Sequence, residues 1–151
     1  MVLSQIRYCV SVYGNGTHKN ISRIQKIINY AAKVIFGRKK FDHVSDLLEE
    51  LGWLSAGDLV QYHTLCLVHK ARRLGEPEAL ASGLVRVSDT RDHHTRQDDS
   101  LYVPRSRTEM GRRRFLSRAP LQYNRLPPDL TRLPVPVFRR HLRRHLCRDP
   151  G

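Results

Sequence analysis

Arginine gives this sequence its chemical character, because every Lys or Arg residue after Lys70 is an arginine. Residues 84–151 hold 16 arginines against 7 acidic residues, while residues 1–83 hold 11 basic and 7 acidic residues, and the chain carries a formal charge of +13. A guanidinium stays charged at any physiological pH, binds phosphate through a planar fork and stacks on bases. This distribution favours a polyanionic partner, with nucleic acid as the first candidate. A solvated basic surface without a ligand is the alternative.

The basic residues fall into groups that could follow a phosphate backbone. One group lies on the polar face of a predicted amphipathic helix together with Tyr30, and a short basic run follows that helix. A second group has Tyr102 and Phe115 interleaved, so that bases could stack between the charges. A third lies on a predicted C-terminal helix. We predict nucleic-acid contacts at Lys19, Arg23, Lys26, Lys33, Arg38, Lys39, Lys40, Arg105, Arg107, Arg112, Arg113, Arg114, Arg139, Arg140, Arg143 and Arg144.

The sequence offers no pattern typical of an enzyme. Asp98 and Asp99 are adjacent carboxylates, but they lie in a polar run without a preceding strand, unlike the metal-binding aspartates of a polymerase. Neither a glycine-rich phosphate loop nor a G-x-S-x-G nucleophile turn is present. We therefore expect no catalytic residues, no cofactor and no small-molecule substrate.

Metal binding is a weaker possibility, since the candidate ligands are scattered. A structural zinc site typically takes four ligands from two close pairs, and the chain has no C-x-x-C pair. We predict no metal site, and a zinc-assisted binding module stays as an alternative. The residues concerned are His63, Cys66, His69, His93, His94, His141, His145 and Cys147.

The compartment follows from what the chain lacks. The three cysteines (Cys9, Cys66 and Cys147) are odd in number and far apart, which favours reduced thiols in an intracellular protein. No stretch approaches the roughly 18 apolar residues of a membrane span, and the first residues do not resemble a signal peptide. We expect no membrane partner.

Apolar periodicity predicts a mainly α fold of about five or six helices. Glycines at 37, 52 and 75 mark helix ends, and residues 59–74 are apolar nearly all round, so that helix should be the buried centre. Ser55 and Asp58 have the spacing of a capping box at its start. We expect helices 21–36, 44–51 and 59–74 to form the core around Trp53, with a short extended or β element near 101–107.

The predicted organisation has three parts, all within one domain. Residues 1–83 form a helical core region, and residues 84–100 form a polar linker or loop. Residues 101–151 form an arginine-rich extended element followed by C-terminal helices that pack on the core. In the last helix, Phe138, Leu142 and Leu146 are spaced to dock on one face.

Several short motifs in order carry a family resemblance. They are V-S-V-Y-G at 10–14, the run from Ile24-Gln25-Lys26 to Ala31-Ala32-Lys33-Val34-Ile35-Phe36-Gly37, L-G-W-L at 51–54, V-P-R-S-R-T at 103–108, Arg114-Phe115, Ala119-Pro120, Y-N-R-L-P at 123–127 and F-R-R-H-L at 138–142. Together they resemble the C-terminal part of the reverse transcriptase polyprotein of non-LTR (LINE-class, jockey-like) retrotransposons. Tyr13 and Tyr123 stand where that family usually has Trp.

The resemblance implies a truncated segment that follows the polymerase palm and lies next to the thumb. Such a segment would contact template RNA or target DNA and support the upstream polymerase region, without catalysis of its own, in a nuclear or cytoplasmic ribonucleoprotein. The family's catalytic carboxylates and endonuclease lie upstream of it. An inert structural remnant of a mobile element is the other interpretation.

Overall fold

The computed structural model describes residues 2–8, 10–14, 16–39, 41–90 and 99–148. These residues form ten α-helices and a short 3-10 helix at Ser88–Thr90. The helices are α1 (Val2–Arg7), α2 (Val10–Tyr13), α3 (His18–Ile35), α4 (Ser45–Glu50), α5 (Ala56–Leu74), α6 (Glu78–Ala81), α7 (Glu109–Arg113), α8 (Phe115–Tyr123), α9 (Pro128–Thr131) and α10 (Val135–Arg148).

The mainly α prediction is confirmed, with more and shorter helices than the periodicity indicated. Two of the additional helices, α6 and α9, have four residues each and follow prolines at 77 and 127 that fix the helix start. The extended element near 101–107 is reduced, among the described residues, to one antiparallel bridge between Arg86 and Leu101. Pro104 lacks the N–H that a longer ladder would need.

Helix ends follow the sequence signals closely. Gly37, Gly52 and Gly75 have φ angles of 61°, 60° and 70°, the left-handed conformation that ends a helix. One of the two bonds of the predicted capping box is formed, because the Ser55 hydroxyl accepts the Asp58 N–H at 3.2 Å. The Asp58 carboxylate accepts from that same hydroxyl at 2.5 Å. The N–H of Ala56, in the first turn of α5, has no acceptor within its own helix and donates to the Gln25 side chain at 2.6 Å. A residue of α3 therefore completes the cap of α5.

The chain divides into two compact units. The first comprises residues 1–63 and 143–151, and the second comprises residues 64–142. In the first unit α3 buries Ile28 and Ala32, while α4 buries Leu47. A close approach occurs at Gly14, where an added Cβ would lie 2.5 Å from the Val60 side chain. The three-part organisation expected from the sequence, with boundaries at residues 83 and 100, stays a prediction.

The second unit holds most of the largest buried side chains, which corrects the expectation that helices 21–36, 44–51 and 59–74 make the core. The prediction that α5 is buried is confirmed, but α8 and α10 supply Tyr123, Phe138 and Leu142, each no more than 1% exposed. Leu101 is also buried, and its N–H and C=O both bond the Asn124 amide, at 2.9 and 2.8 Å. The apolar spacing of α10 is confirmed, because Phe138, Leu142 and Leu146 are all buried.

The apolar side chains of α3 are only partly buried. Ile27 and Ile35 are about half exposed or more, and Tyr30 and Val34 are exposed beside them. Ile28 and Ala32 lie one turn apart and set the direction of packing, so an isoleucine one position away is turned by about 100°.

Within the described residues, no helix combines the length and apolar composition needed to cross a bilayer.

Candidate nucleic-acid interface

Exposure of the predicted contact residues is the first test of the interface. Lys40 lies outside the described residues. Of the other fifteen, fourteen are exposed, and Lys33 is half-buried. None of the fifteen is buried, so the fold leaves their charged ends accessible to a ligand.

Three of the predicted arginines already have protein partners. Glu109 accepts from Arg113 at 3.4 Å and lies 3.9 Å from Arg112, so one carboxylate faces two guanidiniums on α7. Thr108 positions that helix by accepting the Gly111 N–H at 3.1 Å. Arg143 donates to the Gly52 carbonyl at 2.6 Å, at the C-terminal end of α4. That contact is structural, because unpaired carbonyls at a helix C-terminus attract cations.

The remaining arginines of the second and third groups have no ion-pair partner among the described residues. The set comprises Arg105, Arg107, Arg114, Arg139, Arg140 and Arg144. On α10, the buried stripe of Phe138 and Leu142 turns Arg139 and Arg140 outward. Of the two interleaved aromatics, Tyr102 is 46% exposed, whereas Phe115 is half-buried. Tyr102 therefore has the ring face that a base could contact.

Two of the residues considered for catalysis or metal binding, Asp99 and His69, have other contacts in the fold. Asp98, His93, His94 and Cys9 lie outside the described residues. Asp99 accepts from Arg72 at 3.2 Å. His69 is fully buried, so it does not share an accessible site with His63 and Cys66. In the part of the chain that the structure describes, no three His, Cys, Asp or Glu side chains are grouped to hold a metal ion.

The buried His69 has a defined hydrogen-bond pattern. Its Nε2 lies 2.9 Å from the Leu133 carbonyl, which only accepts, so Nε2 carries the proton. In the neutral ring Nδ1 then accepts the Tyr123 hydroxyl at 2.8 Å. The imidazole stacks on Phe138 with ring centroids 3.8 Å apart. Burial lowers the pKa of His69, and the charges of Arg73 and Arg72 lower that pKa further.

Tyr123 is kept as a neutral donor by the same environment. Burial raises the pKa of the Tyr123 phenol, against an opposing effect from the Arg72 guanidinium. The Arg72 guanidinium carbon lies 5.7 Å from the centre of the Tyr123 ring. Tyr123 is therefore a core residue whose ring also lies against the Arg72 guanidinium.

An arginine cleft that the sequence did not predict lies in the second unit. It has a volume of about 650 Å³, and its described lining includes Arg72, Arg73, Arg86 and Arg132, with Asp99 as the one carboxylate among those described residues. Within that lining, four guanidiniums face one carboxylate. The four arginines are separated in sequence by up to 60 residues, so no local pattern could group them. A basic last turn of α5 was the one local signal.

Two of the cleft arginines are held in place and two are free. The Arg72 side chain is only 17% exposed and is fixed by Asp99. Arg73 donates to the Thr131 carbonyl at 3.4 Å and to the Arg132 carbonyl, at the end of α9. The side chains of Arg86 and Arg132 are exposed and have no hydrogen-bond or ion-pair partner among the described residues.

A second cavity adjoins the cleft. It measures about 710 Å³, and Tyr102 and Arg105 contribute to its lining. Ser100 and Asn124 line both cavities, so the two spaces share a wall. The exposed ring of Tyr102 and the side chain of Arg105, which has no ion pair with a described residue, thus lie next to the arginine cleft.

No protein family, no curated protein and no solved structure matches this chain in comparisons with known proteins.

Proposed function

We propose that this chain is an accessory nucleic-acid-binding segment that holds RNA or DNA through arginine–phosphate contacts and has no catalytic activity of its own. The resemblance to the C-terminal part of a non-LTR retrotransposon reverse transcriptase polyprotein supports this function. Its other partner is then the upstream polymerase region, within an intracellular ribonucleoprotein. The observation that carries the proposal is the set of six exposed arginines that pair with no carboxylate among the residues that the structure describes.

These arginines would attract phosphate electrostatically. A guanidinium that is already paired gains less from a phosphate, because the protein contact must first be broken. Arg139 and Arg140 have no such contact, whereas Arg112 and Arg113 share Glu109. A phosphate that meets an unpaired guanidinium forms a charge-assisted, often bidentate hydrogen bond and releases condensed counterions.

Titration of labelled RNA and DNA oligonucleotides with the protein, from low to physiological salt, tests the proposal. We expect the logarithm of the affinity to fall linearly with the logarithm of the salt concentration, with a slope of about −0.7 for each phosphate contacted on a single strand. The double variant Arg139→Gln/Arg140→Gln should flatten this slope by about 1.4.

The matched control is Arg112→Gln/Arg113→Gln, which removes the same charge from a pair already facing Glu109. We expect a smaller change in slope from this control. Absence of binding at low salt, or an affinity that does not depend on salt, would show that the chain is not a nucleic-acid-binding segment. An inert remnant would give that result while still folding.

A further inference from the structure

We infer that the two adjoining cavities of the second unit form one binding site for single-stranded nucleic acid. The arginine cleft takes phosphate groups, and the neighbouring cavity takes an unpaired base against Tyr102. The inference rests on the proposed function, and it specifies the strand form and the place of binding. It assigns ligand contacts to Arg72, Arg86, Arg132 and Tyr102.

The cleft suits phosphate because its positive charge is both concentrated and partly preorganised. Asp99 pairs with Arg72, and the Tyr123 ring lies beneath its guanidinium, so Arg72 loses little side-chain freedom on binding. Because Arg72 is already paired, the stronger phosphate contacts fall to Arg86 and Arg132. Arg86 and Arg132 have no hydrogen-bond or ion-pair partner within the described residues that a phosphate would have to displace. Phosphate is the anion whose oxygens match several guanidinium forks at once.

The dimensions of both cavities are those of a site for a nucleotide-sized group. Volumes of about 650 and 710 Å³ lie within the roughly 300–1,000 Å³ range of small-molecule pockets. The shared wall at Ser100 and Asn124 puts the anion-binding and aromatic parts side by side. A nucleic-acid chain has the same alternation, since each base is joined through its sugar to a phosphate.

Tyr102 decides between single and double strands. A base paired in a duplex is stacked between its neighbours, and its face is closed to a side chain. An unpaired base can turn out and stack on an exposed ring, as in proteins that bind single strands through aromatic platforms and basic grooves. Tyr102 is 46% exposed, and Arg105 lines the same cavity. The site therefore selects unpaired nucleotides.

Fluorescence anisotropy with a labelled 12-nucleotide RNA, the same sequence as DNA, and the duplex of that DNA tests the inference on the full chain. We expect both single strands to bind more tightly than the duplex, and the tighter of the two identifies the preferred polymer. Tyr102→Ala should weaken single-strand binding by about 5- to 150-fold. Tyr102→Phe keeps the ring and should bind like the original chain.

Matched controls separate the site from the general surface. Tyr8→Ala removes a ring that is 77% exposed elsewhere in the chain and should change the affinity by less than about twofold. Arg86→Gln/Arg132→Gln should flatten the salt slope by about 1.4. Arg7→Gln/Arg125→Gln removes the same charge from exposed positions outside both cavities and should flatten it less.

The outcomes distinguish this inference from the proposed function. If the original chain binds but the cavity variants match their controls, or if the duplex binds as tightly as the single strands, the site is wrong and the function stands. If the original chain binds none of the three oligonucleotides, both fail. Should Tyr102→Ala lose its helical circular dichroism, Tyr102→Leu against Tyr102→Phe makes the same comparison.

Discussion

His69 is a residue type that can bind metals or transfer protons, but in this fold it is a packed core residue. From sequence it was one of several possible metal ligands, yet it is fully buried, stacked on Phe138 and bonded at both ring nitrogens. Its partners lie 54 and 64 residues away along the chain. Spacing within one helix could not reveal contacts of that range, so the sequence left the role of this histidine open.

The folding stability should depend on pH through His69. Its pKa in the folded protein is lowered by burial, so the unfolded chain binds the proton more readily. The stabilising contribution is complete above the unfolded pKa of about 6.5 and is lost as the pH falls towards the folded pKa. We expect His69 alone to contribute a loss of up to about 1.4 kcal/mol for each pH unit in that window.

Urea unfolding at pH 7.5, 6.5 and 5.5 measures this effect. His69→Gln should reduce the pH dependence between 7.5 and 5.5. An unaltered pH dependence in the His69 variant would show that the buried imidazole is not the group responsible.

At the scale of elements, helix ends were predictable and helix faces less so. Glycine at a helix end and a Ser-x-x-Asp capping box act over a few residues, so the signals at Gly52 and Ser55 could be identified locally. The face that α3 buries depends on what packs against it. A rotation of about 100° therefore separated the buried Ile28 from the exposed Ile27 despite their identical side chains.

Gly52 supplies a test of helix termination. Its φ of 60° is strained for any residue with a Cβ, although no atom lies within 4 Å of the position that a Cβ would take. Gly52→Ala should therefore destabilise the protein by about 1 kcal/mol through the backbone alone. Thermal or urea unfolding measures the loss.

The control for Gly52→Ala is Gly57→Ala in the first turn of α5. There the nearest atom to an added Cβ is the Ser55 hydroxyl oxygen at 3.9 Å, and φ is not positive. Alanine should stabilise that position by about 0.5–1 kcal/mol, because glycine costs more conformational entropy in a helix. Two changes of the same sign would contradict the argument from backbone conformation.

For the whole molecule, the sequence predicted the sign of the surface charge but only part of its organisation. Exposed arginines on α10 could be placed because they alternate with an apolar stripe. The arginine cleft could not be placed, since its members come from α5, the bridge at Arg86 and the residue after α9. Such a site exists only once distant segments are folded together.

A formal charge of +13 should make stability and nucleic-acid affinity respond to salt in opposite directions. Like charges repel in the compact state, and the screening length falls from about 30 Å at 0.01 M salt to about 10 Å at 0.1 M. We expect the melting temperature to rise over this range, by about 2–4 °C for each 1 kcal/mol of repulsion removed.

Calorimetry or circular dichroism in sodium chloride, without phosphate or sulfate, measures this rise in melting temperature. The same salt series should weaken oligonucleotide binding. A melting temperature that falls with added chloride would indicate that attractive ion pairs dominate the folded state.

The Asn124 side chain holds both polar backbone atoms of Leu101 and is also part of the wall between the two cavities. The amide proton of Leu101 is therefore protected by a side chain rather than by a helix or a sheet. The hydrogen–deuterium exchange rate of this amide therefore depends on the wall between the two cavities. An NMR measurement of this one amide can show whether a ligand occupies the space on either side.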